Sequence, residues 1–255
     1  MFNKLIIVFA VVATSACTTI QHMPMSAESS SKLQGKSLAI TQYPMPDFAA
    51  FTAGKAAFGL LGSLAMISEG NSIIRENGID DPARKISRDL AGLLVATRAM
   101  QLKPRSVVEA SSDEIGTLVS LYPGADYLLD VKTFGWMFSY YPTDWARYKV
   151  TYSARLRLIE TSNKRVVAET LCRGAQGDDQ NPPTKDQLLE NQAALLKTYF
   201  DRAADSCVQL LARDVMQLPV VTESKQAKSV VEEQQAPQNT SVTVDDLKDL
   251  IRNRN

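Results

Sequence analysis

Residues 147–158 read RYKVTYSARLRL, and apolar and polar side chains alternate through the whole stretch. The apolar positions are Tyr148, Val150, Tyr152, Ala154, Leu156 and Leu158. Successive side chains of a β-strand point to opposite faces, so a period of two predicts a long strand with one buried and one wet face. Such a strand is typical of an antiparallel sheet, and it decides the fold class.

The sequence on both sides of this strand predicts the rest of a sheet. Residues 125–133 (ADYLLDVKT) alternate in the same way, and 166–172 returns after a polar turn. The region 125–172 therefore predicts a three-stranded meander. Residues 36–43 (KSLAITQY) predict a first strand, so we expect an antiparallel or mixed sheet.

Helices are predicted to cover this sheet. They span 82–101, 112–122 and 184–217, with a weak strand at 105–110 and a helical turn or loop at 70–79. The first helix follows Asp80-Asp81-Pro82, where aspartate suits the cap and proline suits the first turn. The last helix has apolar residues at spacings of three and four. We therefore expect a single α/β domain of the α+β type over residues 36–218.

Residues 48–67 (FAAFTAGKAAFGLLGSLAMI) contain a single charged residue, Lys55, and three glycines. One interpretation is a buried helical hairpin or long core helix, because glycine and alanine permit close packing. A second is a helix that inserts into a membrane or binds a partner. A third is a transmembrane segment, although its alanines and glycines make the stretch only mildly apolar.

The N-terminus has the pattern of a signal peptide. A lysine precedes nine apolar residues at 5–13, too few for a membrane span of about 20 residues. Thr14-Ser15-Ala16-Cys17 resembles the lipobox of bacterial lipoproteins, with a threonine where leucine is usual. The resemblance implies removal of residues 1–16, a covalent lipid on Cys17 and, because Thr18 follows it, the periplasmic face of the outer membrane. The alternative is an ordinary cleaved signal peptide with an incidental cysteine.

Polar segments flank the predicted domain. Residues 17–35 are serine-rich and predict a flexible tether, which contains the single histidine of the sequence, His22. Residues 219–242 predict a disordered linker. Residues 243–255 predict a short amphipathic helix that needs a docking surface, and its apolar face consists of Val244, Leu247, Leu250 and Ile251.

Two cysteines remain once Cys17 is assigned to the lipid. Cys172 is in phase with the alternation of its strand, and Cys207 lies on the apolar stripe of the last helix. An even pair in an oxidising compartment predicts a disulfide that fixes this helix to this strand. The alternatives are two buried free thiols, or a thiol nucleophile that lacks a basic partner.

Residues 134–148 (FGWMFSYYPTDWARY) predict an aromatic loop between two strands of the meander. Its rings either close the end of the core or form a binding surface, since aromatic rings give large contact area at low entropic cost. The candidate surface comprises Trp136, Phe138, Tyr140, Tyr141 and Trp145, with Arg155 and Arg157 on the neighbouring strand face as a site for an anionic group. A solvated strand face explains the two arginines as well.

Sequence motifs for catalysis are absent. The 28 basic and 28 acidic residues leave no basic excess for nucleic acid. One histidine argues against a zinc site or a histidine-based triad, and no nucleotide-binding or metal-binding motif is present, so we expect no metal and no cofactor besides the lipid. Asp126 with Asp130, and Asp178 with Asp179, are the carboxylate pairs that acid/base chemistry would use, although a solvated surface is the simpler explanation.

Three stretches of the chain resemble a group of uncharacterised proteobacterial lipoproteins. They are DPARKISRDLAG at 81–92, the region 125–161, and AETLCRG at 168–174 followed by the helix that contains Cys207. The group has no assigned activity, so the resemblance implies no functional residues. The element order is also similar to compact α/β domains of envelope lipoproteins, which is a likeness of fold alone.

These observations lead us to expect a membrane-anchored lipoprotein with a non-enzymatic binding or scaffolding role in envelope assembly or secretion. We expect an envelope protein partner or self-association, and no nucleic acid. One alternative is an enzyme that acts on envelope polymers or lipids through carboxylates. Another is a pore or secretion-channel subunit that inserts residues 48–67.

Overall fold

A computed structural model describes residues 20–56, 58–106, 108–177 and 180–218. The predicted signal peptide with Cys17 lies outside the described residues. So do Asp178 and Asp179, the predicted linker 219–242 and the predicted docking helix 243–255 with Val244, Leu247, Leu250 and Ile251.

The predicted α/β fold is confirmed, with a mixed sheet. The strands are β1 (Ser37–Ile40), β2 (Ala49–Phe51), β3 (Gln101–Leu102), β4 (Tyr127–Tyr141), β5 (Asp144–Glu160) and β6 (Arg165–Gln176). Their order is β3-β1-β4-β5-β6, and β2 pairs with the far end of β4. The predicted meander forms the antiparallel part, whereas β1 runs parallel to both of its neighbours.

The helices are α1 (Ala27–Ser31), α2 (Ala53–Ala56), α3 (Gly59–Asn77), α4 (Pro82–Arg98), α5 (Ile115–Leu121) and α6 (Lys185–Leu210). The Asp81 side chain caps α4, as predicted, by accepting from the Ala83 N–H at 2.9 Å. A capping box of Thr184 and Gln187 begins α6. The α6 backbone is kinked at Glu190–Ala193, and one π-helical turn, Leu211–Val215, follows the helix.

Three local predictions need correction. Residues 70–77 are helical, which was one of the two alternatives, but they are the end of the long helix α3 and not a short separate turn or a loop. Residues 105–106 and 108–110 do not form a strand: β3 lies earlier and ends before Pro104, which has no N–H to donate to a sheet. Helix α5 starts later than predicted, because the Glu114 carboxylate caps it by accepting from the N–H groups of Gly116 and Thr117 at 2.9 and 2.7 Å.

The predicted aromatic loop 134–148 is instead a continuation of the β4–β5 hairpin. Pairing of the two strands extends to Tyr141 and Asp144, with a register shift around Phe134. Beyond this bulge, Trp136, Phe138 and Tyr140 lie opposite Tyr152, Val150 and Tyr148. Aromatic and β-branched pairs across strands stabilise a sheet, and here they extend it.

The predicted flexible tether is packed against the domain wherever it is described. Met25 and Leu33 are buried in the main core. Met23 forms a two-way backbone bridge with Glu169 on the outer edge of β6, with N···O distances of 2.7 and 3.0 Å. Residues 20–35 are therefore part of the domain, because their few apolar side chains find places in its core.

The two faces of the sheet are covered unequally. The main core lies between the sheet and helices α3, α4 and α6. A smaller cluster around Leu118, Tyr122 and Leu128 lies on the opposite face, under α5. The disulfide between Cys172 and Cys207 joins β6 to α6 across the main core, with their Cα atoms 5.7 Å apart, as the sequence predicts.

We predict that replacing both Cys172 and Cys207 with alanine lowers the free energy of unfolding by about 3–4 kcal/mol. The bond closes a loop with a sequence separation of 35 residues, and the chain-entropy model gives this magnitude. Urea denaturation of oxidised and doubly substituted protein measures the difference. Alkylation of the wild type after denaturation without reductant should label neither residue, and labelling of both would contradict the disulfide.

Candidate binding surfaces

The aromatic residues predicted to form one binding surface do not lie together. Trp136 and Phe138 are buried in the main core. The Trp136 ring packs edge-on against Phe48, with centroids 5.2 Å apart, and its Nε1–H donates to the Asp47 carbonyl at 3.0 Å. The prediction was therefore wrong for both residues, since the extended hairpin turns these rings inward.

The remaining three aromatic residues are more exposed. Tyr140 and Tyr141 are half-buried, and Trp145 is 69% exposed at the hairpin turn, where its Nε1–H donates to the Pro142 carbonyl at 3.2 Å. Tyr140 stacks with Phe51 of β2. Only Trp145 retains the exposure that a binding role requires, and a single ring is not a surface.

The strand face predicted to be wet is covered at Arg155 and Arg157. Arg155 and Arg157 are 8% and 6% exposed, and Asp130 is fully buried between them. The Asp130 carboxylate accepts from Arg157 Nε at 2.8 Å and from the hydroxyls of Thr41 and Tyr43 at 2.9 and 2.6 Å. We call Asp130, Arg155 and Arg157 the arginine cluster; its burial and its contacts with Asp113 make it structural and close it to an external anion.

A second carboxylate completes the arginine cluster from outside. Asp113 accepts from Arg155 Nη2 at 2.7 Å, and Lys132 Nζ lies 3.4 Å from it. Burial raises the pKa of Asp113, but the Arg155 and Lys132 cations outweigh burial and hold the pKa below its usual value. The stabilisation that Asp113 gives is therefore present at neutral pH and is lost as the pH falls below the ordinary range of the carboxyl.

Asp126 and His22 both have hydrogen-bond partners within the domain. Asp126 accepts from the N–H and hydroxyl of Ser37 at 2.8 and 2.7 Å. The Nδ1 atom of His22 lies 3.0 Å from the Thr170 hydroxyl. Within the described ranges, no group of three or more His, Cys, Asp or Glu side chains is placed to hold a metal ion.

The most exposed apolar residues lie in the segment with three interpretations, 48–67. Phe58, Leu60, Leu61 and Leu64 are 72%, 80%, 75% and 60% exposed. We call these four residues the apolar corner. The interpretation as a fully buried helix is wrong for them, although Phe48, Ala50 and Met66 of the same segment are buried. Among the described residues, no helix combines the length and apolarity needed to cross a membrane.

Two glycines fix the backbone of the apolar corner. Gly59 begins α3 with a φ of 54°, in the left-handed region that favours glycine. A Cβ atom at Gly62 would overlap the Lys55 carbonyl, so α2 and α3 approach closely only because this residue is glycine. Glu69 forms ion pairs with both Lys55 and Lys185, which tie α2, α3 and the start of α6 together beneath the corner.

A cavity of about 320 Å³ lies beside the first turns of α4. We call it the α4 cavity. It opens where the chain leaves β1 and β3, and Val131 of β4 forms part of its wall. No sequence pattern indicates this cavity. Arg84 and Arg88 alternate with core residues along α4 as on an ordinary solvated helix face, and Lys103 and Arg105 follow a strand of two residues.

The comparisons with known proteins assign no family. No protein-family model matches the chain and no curated protein matches it significantly. Similar solved structures include the PelC dodecamer from Paraburkholderia phytofirmans (13% identity, 72% of this chain and 93% of that chain, TM-score 0.30). Protein XCC0632 from Xanthomonas campestris, of family DUF330, has 13% identity over 74% of this chain and 89% of its own, with a TM-score of 0.37. Lipoprotein GNA1162 from Neisseria meningitidis has 13% identity over 66% and 99%, with a TM-score of 0.25.

We predict that Asp130→Ala destabilises the domain far more than Asp126→Ala. Removal of Asp130 leaves Arg155 and Arg157 buried without their shared carboxylate, which costs about 3–5 kcal/mol. Removal of the half-exposed Asp126 loses hydrogen bonds with a net contribution of about 1 kcal/mol. Urea denaturation measures both values, and equal costs would contradict a structural role for the arginine cluster.

Proposed function

We propose that this protein is a lipoprotein of the outer membrane that binds an envelope partner protein through the apolar corner, without catalysing a reaction. The observation that supports this function best is the exposure of Phe58, Leu60, Leu61 and Leu64 on one helix start. Contiguous apolar patches on the order of a few hundred Å² commonly mark interaction sites.

The apolar corner is suited to binding because it is fixed before a partner arrives. The close approach at Gly62 and the ion pairs of Glu69 hold its backbone against the domain. A patch that does not need to fold on contact loses little conformational entropy when it binds. Large apolar side chains at its centre would supply most of the binding free energy.

The lipid attachment favours a protein partner over the anchoring bilayer. Cys17 precedes Ile20 by three residues, so the connecting chain reaches at most about 11 Å. Met23 is held on the β6 edge, whereas β2, which leads into the corner, pairs with the far end of β4. Met23 and β2 are therefore about eight residues apart along the strands and about four strand spacings apart across the sheet, a distance of roughly 30 Å.

The contacts of the candidate carboxylates support the non-enzymatic part of the proposal. Asp130 is saturated by two arginines and two hydroxyls. Asp126 holds Ser37 at the start of β1. A catalytic acid or base has to reach substrate, and these two carboxylates already have structural partners.

We predict that Cys17→Ala releases the protein from membranes. The substitution removes the thioether site, and the described domain offers no membrane-spanning helix to replace the anchor. Fractionation of cells, together with incorporation of labelled palmitate, measures the effect. Cys172→Ala is the matched control and should keep the label. Label retained by Cys17→Ala would contradict the lipoprotein assignment.

We predict that a photo-crosslinker at Leu61 captures one discrete envelope protein in intact cells. Phe58→Ser with Leu64→Ser should abolish the adduct while changing the unfolding free energy by about 0.5 kcal/mol or less, because both side chains are exposed. A crosslinker at Val95, on α4 and 39% exposed, is the matched control.

The identity of the crosslinked species shows what contacts the apolar corner in the cell. A different envelope protein, captured from Leu61 and absent from Val95, supports the proposal. An adduct of two copies of this chain, an adduct with lipid, or an adduct that survives the double substitution would each contradict it.

A further inference from the structure

The α4 cavity lies at the carboxyl ends of two parallel strands. The chain that leaves β1 at Ile40 and the chain that leaves β3 at Leu102 both line it. From β1 the chain passes over the main core face through α4 to β3, and then over the other face through α5 to β4. Crevices at such a change of direction are the usual ligand sites of open sheets with parallel strands.

Four cations surround this cavity. Arg84 and Arg88 lie one turn apart on α4, and Lys103 and Arg105 alternate along the extended chain after β3. Two separate segments therefore present their positive charges to one opening. Within the described ranges, Arg105 pairs with no carboxylate. Guanidinium groups match phosphate and carboxylate oxygens in a two-point geometry.

The two acidic residues of the cavity are already engaged. Asp81 accepts from the Ala83 N–H and, at 2.6 Å, from the Thr133 hydroxyl. Asp80 lies 3.6 Å from Arg84, with most of its side chain in solvent. Because Asp81 already caps α4, an incoming anion would be bound by the side-chain cations and not by the helix amides.

Part of the lining of the cavity is apolar. Ile40, Leu102, Val131 and Ala83 line it beside the polar side chains of Thr41, Gln42 and Ser87. Its volume of about 320 Å³ is at the lower end of the range for small-molecule sites, about 300–1,000 Å³. A bare inorganic ion would leave these apolar side chains without contact, so the cavity favours an anion with an apolar part.

We propose that the α4 cavity binds a small organic anion, with an apolar body against Ile40, Leu102 and Val131 and a phosphate or carboxylate held by Arg84, Arg88, Lys103 and Arg105. This site is independent of the apolar corner.

Isothermal titration calorimetry of the full-length protein in a neutral detergent tests this proposal. The probes are phenyl phosphate, benzoate, inorganic phosphate and phenol. We expect phenyl phosphate or benzoate to bind at least tenfold more tightly than inorganic phosphate and phenol, and binding to weaken as salt is raised. Whichever of the two anions binds more tightly identifies the head group.

Variants of the cations locate the binding. Arg84→Gln with Arg105→Gln should weaken binding of the preferred probe at least tenfold, and Arg105→Gln alone at least threefold. Arg173→Gln, which removes an exposed arginine of β6, is the matched control and should bind as the wild type does. Arg105 forms no ion pair with any residue that the structure describes, so its single variant keeps the test valid should the double variant unfold.

Three results would overturn the proposal. One is the absence of measurable binding of both organic anions to the wild type. Another is inorganic phosphate that binds as tightly as they do, which would show an adventitious ion only. The third is an equal loss in Arg173→Gln and Arg105→Gln. None of these depends on the apolar corner, so the proposed function is tested separately.

Discussion

The alternation along β5 imposes a sheet with two unlike faces, and the rest of the fold follows from how each face is covered. One face presents an unbroken apolar row, which α4 and α6 bury. The other presents arginines that are almost fully buried, and burying them without partners would cost several kcal/mol. The register places Asp130 directly opposite Arg157, so charge neutralisation and strand pairing require each other. A slip of one residue would turn the charges into the core.

Coverage of the outer sheet edge makes the N-terminal segment part of the domain. The outer edge of β6 is bridged by Met23, and the segment that follows places Met25 and Leu33 in the core. Burial of these side chains overrides the polar composition of residues 20–35. The proposed lipid on Cys17 would then be three residues from Ile20, where the described chain begins, which would limit how far the proposed binding surface moves relative to the membrane.

Sequence periodicity correctly predicted the elements whose apolar pattern is continuous. It failed where a bulge or a contact between distant segments changes which side chains are buried. It located β5, the cap of α4 and the disulfide. The prediction for the aromatic stretch failed because the bulge at Phe134 shifts the buried positions of β4 from odd to even residue numbers. Trp136 and Phe138 therefore face the core, although continuous alternation would place them on the other face.

The sequence pattern does not distinguish the buried arginines Arg155 and Arg157 from a solvated strand face, since their partners Asp113 and Asp130 come from separate segments. The α4 cavity lies between α4 and the chain after β3, and no local sequence pattern indicates that these two segments come close together.

The apolar corner differs from these cases because the fold does not require its side chains. The contacts that hold α3 in place are made by Gly62, Met66, Gly70 and Ile73, and a Cβ atom at Gly70 would overlap the Phe48 carbonyl. Polar residues at 58, 60, 61 and 64 would leave all of these contacts intact and would cost nothing in the exposed environment that the structure gives them. Exposed leucine and phenylalanine gain no folding free energy there and increase the tendency to aggregate. Their apolar character therefore supports the proposed contact with a partner surface outside the domain.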